Sequence, residues 1–294
     1  MQTEKMNKLS TRKYELLLAM VISARATSFI FSKMILEDIS PFNLLAIRFL
    51  ISFCLLVLIF YKEMLKITKK TLISGLIIGF MFFITMSLEM LALEQADSSL
   101  VSLLENCAII FVPMFEVMFF KKFPNKMTVF STSIAMVGVV LLAMQQGNLS
   151  GGFTFGLLAG IAYALAIIVT DRLSHESEST LSVGIIQVGT MGIMSFIATL
   201  LFEQPQLPKN GTHWLMLAIL IVVCTGFGFT LQPVAQRHVT AQRAGLFCAI
   251  SPAIAALLGV VVLHEKLGIF GGIGLILILT SIVLPYINVF QNKR

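Results

Sequence analysis

The run SSLVSLLENCAIIFVPMFEVMF (98–119) decides how this chain folds. At 22 residues it is long enough to cross a bilayer as one helix. Membrane-spanning strands alternate apolar and polar residues, whereas this run is apolar all round, so it reads as a helix. Glu105 nevertheless lies well inside what should be hydrocarbon. A carboxylate there costs roughly 2.5–3.5 kcal/mol unless it finds a partner or water. Opposite charge is available in two other apolar stretches. Arg25 sits near the centre of the first, and Arg48 in the second at about the depth of Glu105. Glu89 falls about one turn from the outer end of the third. Buried charges of both signs point to a polar cargo crossing a bilayer.

Working outward, the chain is 57% hydrophobic and only 12% charged, with a mean hydropathy of +0.93. Soluble domains carry about 25% charged residues, so a water-soluble fold is excluded. Ten apolar stretches are expected as spans, at about 14–36, 41–60, 72–93, 98–119, 127–144, 153–172, 181–202, 213–235, 243–263 and 268–290. Pro41, Pro124, Pro205 and Pro208 fall in the connections, where they stop helices. The basic N-terminal tail resembles a signal-peptide n-region. The apolar run after it is too long and has no small-residue cleavage site, so it reads as a retained first helix. Cys54, Cys107, Cys224 and Cys248 all fall within spans and read as small hydrophobes, with no disulfide or metal spacing.

The net charge of +6 is a topology signal, not a nucleic-acid footprint, because no basic face exists. Sixteen Lys and Arg residues occupy alternate connections and the two tails. The intervening connections hold only Lys33, Lys209 and Lys266. The positive-inside rule therefore places both termini in the cytoplasm, with the chain in the cytoplasmic membrane.

An even number of spans with both ends on one side divides into two halves of five, residues 1–147 and 148–294. An odd number of spans per half turns the second upside down relative to the first. The fold expected is an all-α polytopic membrane protein of ten transmembrane helices in two inverted five-helix repeats. Each half opens on a similar segment, ARATSFIFSKMIL (24–36) or AYALAIIVTDRLS (162–174). Each has a proline in its fourth helix, Pro113 or Pro252, expected to kink it. A short charged turn follows, Lys121-Lys122 or His264-Glu265-Lys266. Aligning the opening segments sets Arg25 opposite Tyr163 and Arg48 opposite Ile186 or Gln187, and aligning the turns sets Glu89 opposite Gln232 and Glu105 opposite Cys248. Gly152, Gly156 and Gly160, and likewise Gly75 and Gly79, have the spacing of helix-packing faces.

The segment QPVAQRHVTAQRAGLFCAISPAIAALLGVVVLHEKLGIFGGIGLILIL (232–279) carries a family resemblance. It has a small-residue-rich helix with a mid-membrane proline, then a Gly and apolar run ending in an acidic turn, then a Gly-rich last helix. In these features the chain resembles the drug/metabolite transporter superfamily, of the ten-helix EamA-like permease type. The first half departs from the pattern at Lys122, which stands where an acidic residue is expected. The resemblance implies export or uptake of small metabolites, often amino acids, by alternating access.

The candidate substrate-binding residues are Arg25, Arg48, Glu89, Glu105, Tyr163, Gln187 and Gln232. Arginine's fork suits a carboxylate and a glutamate suits an ammonium group, so Arg25 and Glu105 are placed to hold the two ends of a zwitterion. Two other readings stay open at this point. Arg48 pairs structurally with Glu105 or Glu89, or Glu105 carries a proton that couples transport. Glu116 lies three turns from Glu105 on the same face. The expected function is secondary transport of a small polar metabolite, an amino acid or related zwitterion, with export favoured. The partners are that cargo, the lipid bilayer and, as candidate coupling ions, protons. Nothing resembles a nucleotide site, a serine nucleophile elbow or a zinc helix, so no cofactor, metal, nucleic acid or enzymatic role is expected. A lipid-headgroup flippase is the alternative, with a membrane-embedded enzyme a more remote one. The oligomeric state is not legible.

Overall fold

The computed structural model describes residues 2–121, 126–145, 151–238, 250–264 and 268–291. Lys122, Pro124, Arg243, Cys248, Glu265 and Lys266 lie outside the described residues. Every regular element among the described residues is a helix, and seven segments are long and apolar enough to cross a membrane.

In chain order, α1 (Gln2–Ala26) and α2 (Ser28–Ile35) make up the first apolar stretch, and α3 (Pro41–Ile59) the second. A single turn, α4 (Tyr61–Met64), leads to α5 (Lys69–Gln95). The fourth stretch is α6 (Ser98–Asn106) plus α7 (Ala108–Phe120), followed by α8 (Lys126–Gln145). The second half contains α9 (Gly151–Glu176), α10 (Thr180–Phe202) and α11 (Gly211–Ile219). A π-helical segment, Leu220–Phe229, runs from α11 into α12 (Thr230–Gln236). The last two helices are α13 (Ile250–Val262) and α14 (Ile269–Gln291).

Three stretches expected to be unbroken helices are irregular. The first breaks at Thr27, whose hydroxyl donates to the Ala24 carbonyl at 2.8 Å. The fourth breaks at Cys107, where one backbone N–H is shared between the Leu103 and Leu104 carbonyls. The kink expected at Pro113 thus falls one to two turns earlier, and it separates Glu105 from Glu116. Glu105 is 2% exposed, whereas Glu116 is only half-buried. The eighth stretch widens into π-helix between Leu220 and Phe229. Freed backbone at membrane depth is tolerated only when buried in protein. Here two irregular places satisfy each other. Cys224 of the π segment donates its Sγ–H to the Ala24 carbonyl at 3.1 Å and lies 3.5 Å from Thr27 Oγ1. Cys224 is therefore a hydrogen-bonding group, not the inert small hydrophobe its sequence context suggests.

The two halves interleave. First-half helices pack chiefly on second-half ones: α3 on α10, α5 on α9 and α10, α6 on α9 and α13, α8 on α14, and α1 on the π segment. Exchanging α1 with α9, α3 with α10, α5 with the π segment, α6 with α13 and α8 with α14 maps these pairings onto one another once the contacts of α1 with α13 and of α3 with the π segment are included. Glycine makes the approaches possible. A Cβ on Gly79 would sit 2.5 Å from Thr190 Cβ and 2.8 Å from the Gln187 carbonyl oxygen. Gly75 lies equally close to Ile186, Gly152 to Ala96, and Gly156 and Gly160 to Leu104. The expected packing faces are real. Among the described residues, two non-glycine positions have positive φ, Lys121 (55°) and His264 (53°). Each closes a fourth-helix counterpart, α7 or α13, and they are the positions that the aligned turns set opposite each other.

Helix termini are closed by side chains of matching sign. Glu203 accepts hydrogen bonds from Phe42 N (3.0 Å) and Asn43 N (2.8 Å) at the start of α3. Lys33 Nζ donates to Leu93 and Ala96 carbonyls at the end of α5. Both arrangements complement the helix dipole.

Candidate functional site

The site forms where α1, α5, α6, α9 and the π segment meet. Arg25, one residue before the end of α1, projects into this junction. Its Nη1 donates to Tyr163 Oη on α9 at 3.1 Å and to Gln232 Oε1 on α12 at 2.6 Å. Its Nη2 lies 3.9 Å from Glu105 Oε1 on α6, an ion pair at the long end of the range. Three aromatic rings surround the guanidinium carbon, with centroids at 4.2 Å (Phe229), 5.3 Å (Tyr163) and 5.9 Å (Phe82). All are within reach of cation–π attraction. The rings also hold one another, Phe82 edge-on to both Tyr163 and Phe229. Gly228 lets α1 come this close, since a Cβ there would stand 2.9 Å from Arg25 Cγ.

Glu89 on α5 and Glu105 are both 2% exposed, and their carboxyls face each other within hydrogen-bonding reach. One oxygen of each, Glu89 Oε1 and Glu105 Oε2, has no hydrogen-bond partner among the described residues. These groups, with Arg25, Tyr163, Asn106 and Ser251, line a cavity of about 20 Å³. That is room for roughly one water.

Arg48 stands apart. It is fully buried, its Nε donates to Thr225 Oγ1 at 2.7 Å, and its guanidinium rests 5.1 Å from the Phe49 ring and 5.8 Å from the Phe229 ring. Nη1 and Nη2 have no hydrogen-bond partner among the described residues. The direct pair with Glu105 or Glu89 weighed from the sequence is therefore not formed; Glu105 is nearer Arg25. Gln187 is also fully buried, with both amide atoms unpartnered among the described residues, and it does not line the cavity. Of the expected site residues, Arg25, Glu89, Glu105, Tyr163 and Gln232 come together. Arg48 joins them only through Phe229, and Gln187 stays separate. Pro252 lies near the cavity's Ser251, in the first described turn of α13.

Sequence reasoning missed Phe82, Phe229 and Thr225. Apolar rings in an apolar chain carry no signal of their own. The one available hint was the Gly226/Gly228 pair flanking Phe227, which marks a place where the backbone comes close to another helix.

A buried, charged, aromatic-walled site in an all-helical membrane bundle defines a membrane transport protein. The chain belongs to the EamA-like transporter family, whose model matches twice, over residues 12–144 and 150–287. An uncharacterized transporter of Archaeoglobus fulgidus is 26% identical over 291 residues, covering 92% of this chain and 96% of that one. A second from the same organism is 26% identical over 204 residues, covering 69% and 73%. One solved structure, described as the crystal structure of a protein, matches with a TM-score of 0.71 at 16% identity. It covers 96% of this chain and 99% of that one, and so speaks to the fold.

Proposed function

We propose that this transporter is a secondary carrier for a small polar metabolite, an amino acid or related zwitterion, exported across the cytoplasmic membrane by alternating access. In this reading the chain has ten spans in two inverted halves, 1–147 and 148–294, with both termini in the cytoplasm. The charge asymmetry of the connections and the exchangeable packing of the halves support it.

The observation that carries the reading is Arg25. From the first half it bonds to Tyr163 and Gln232 of the second and pairs with Glu105 beside a small cavity. A group tied to both halves at the seam feels any movement of one against the other. Contacts between the halves also lie at both ends of the bundle. On one side Asp38 Oδ2 accepts from His213 Nδ1 at 3.1 Å. On the other, Tyr14 stacks on His238 at 3.8 Å. These contacts tie the halves together on either side of a small cavity, and the lipid-facing groove of a flippase is a poor match for it.

Glu105 and Glu89 would take the cargo's ammonium group and Arg25 its carboxylate, with Tyr163 and Gln232 as polar partners and Arg48 and Gln187 set back from the present cavity. Glu105 is the candidate for carrying a proton on the return.

The test is uptake into proteoliposomes, with a labelled amino acid chosen by thermal-shift screening of amino acids, amines, nucleosides and sugars. Arg25→Ala and Glu105→Gln are expected to abolish uptake while the protein still folds. Undiminished uptake by both variants refutes the site.

A further inference from the structure

The groups around the cavity fall into two unequal sets. Arg25 is well provided for, with two hydrogen bonds to neutral oxygens, one carboxylate and three ring faces. The carboxyls are not, since Glu89 Oε1 and Glu105 Oε2 are buried beside the cavity with no partner among the described residues. Nearly everything that surrounds Arg25 is an acceptor or a π face. Three rings, two carboxyls, a phenol oxygen and an amide oxygen make up a receptacle for a planar or tetrahedral organic cation. An anionic group entering the cavity as it stands would meet the free carboxyl oxygens first.

We infer that Arg25 is a tethered stand-in for the cargo's cationic head, and that the cargo enters by exchange. An ammonium, amidinium or guanidinium group takes the place of the Arg25 side chain among Phe82, Tyr163, Phe229 and the carboxyls. The displaced Arg25 fork is then free to meet the cargo's carboxylate. This inference rests on the transporter reading and sharpens it, because the cation is what the site selects and the carboxylate is secondary. Three features support exchange over a permanent structural role. The Arg25–Glu105 contact is long, at 3.9 Å, and involves one oxygen. Arg25's two hydrogen bonds go to neutral groups, which release a cation more readily than carboxylates do. The cavity of about 20 Å³ is too small for an amino acid unless a side chain leaves, and Arg25 is a lining residue whose guanidinium bonds across the seam to Tyr163 and Gln232.

The experiment separates the vacated receptacle from transport. Purified Arg25→Ala protein is titrated with methylguanidinium at millimolar concentration and constant ionic strength, with thermal unfolding as the readout and urea as the neutral control. Methylguanidinium should bind Arg25→Ala at least ~5-fold more tightly than it binds wild type, as expected for a cation entering a desolvated aromatic site. Urea should do nothing, and adding Glu105→Gln should remove the effect. Arg25→Met, which keeps the bulk of the stem, serves the same test should Arg25→Ala fold poorly. Wild type should be stabilised more by amines that lack a carboxylate than by carboxylic acids that lack an amine. Equal binding to wild type and both Arg25 variants, or none to either variant, overturns the inference. Binding by the variants without flux in the wild type would instead refute the transporter reading and leave the cation site standing. Flux without a cation site would do the reverse.

Discussion

Replacing Arg48 with methionine is expected to stabilise the protein, although Arg48 is among its most deeply buried side chains. Its one hydrogen bond, Nε to Thr225 Oγ1 at 2.7 Å, is made by a charged donor and is worth about 1.5–3 kcal/mol. Against this stand Nη1 and Nη2, buried without partners among the described residues. Each unmade donor costs about 1–3 kcal/mol, so the two together outweigh the bond that is made. Apolar replacement of buried charged groups is commonly neutral or stabilising by about 1–4 kcal/mol. We expect a gain of about 1–2 kcal/mol for Arg48→Met, since Thr225 loses its donor. Arg48→Ala, which also leaves a void, should lose about 2–4 kcal/mol. The assay is reversible unfolding of the purified protein in mixed micelles with increasing SDS, followed by circular dichroism. A loss of more than about 1 kcal/mol for Arg48→Met would show that the two nitrogens are satisfied and that the reasoning is wrong.

Two further outcomes follow from the packing and the loops. Gly79→Val places methyl groups against Thr190 and the Gln187 backbone, which cannot retreat. A loss of about 1–3 kcal/mol in the same SDS titration is expected, and an unchanged curve would deny the tight α5–α10 contact. At the connection before α3, the Asp38 carboxyl is held below its ordinary range by the His213 hydrogen bond and then by the Lys209 N–H. Its contribution is therefore complete above the usual aspartate range and is lost as pH falls through the lowered folded value. The single tryptophan, Trp214 of α11, donates to the Pro208 carbonyl in the facing connection, whose Lys209 N–H bonds to Asp38, so its emission reports this contact. An acid transition below the ordinary carboxylate range, removed by Asp38→Asn, is expected. Persistence of the same transition in Asp38→Asn would assign it elsewhere.

Much of the fold was legible because lipid leaves a chain few options. A long apolar run must be a helix, and small residues at four-residue spacing mark close helix contacts. Gly75, Gly79, Gly152, Gly156 and Gly160 all behave accordingly. The paired turns were legible too, and Lys121 and His264 share a left-handed backbone. Helix interruptions were not. Thr27, Cys107 and the π segment break stretches whose hydropathy is smooth, because the groups that satisfy the freed backbone come from other helices.

By itself, then, the sequence determined that this is a helical membrane protein with charges of both signs at membrane depth, and it named Arg25, Glu89, Glu105, Tyr163 and Gln232 as polar groups needing an explanation. Only the tertiary structure decided their partners. Depth along a helix can be read from residue counting, but azimuth and neighbour depend on how helices rotate as they pack. That rotation turned Arg25 toward Tyr163, Gln232 and three aromatic rings, left Arg48 to Thr225 and the rings of Phe49 and Phe229, and brought two glutamates face to face.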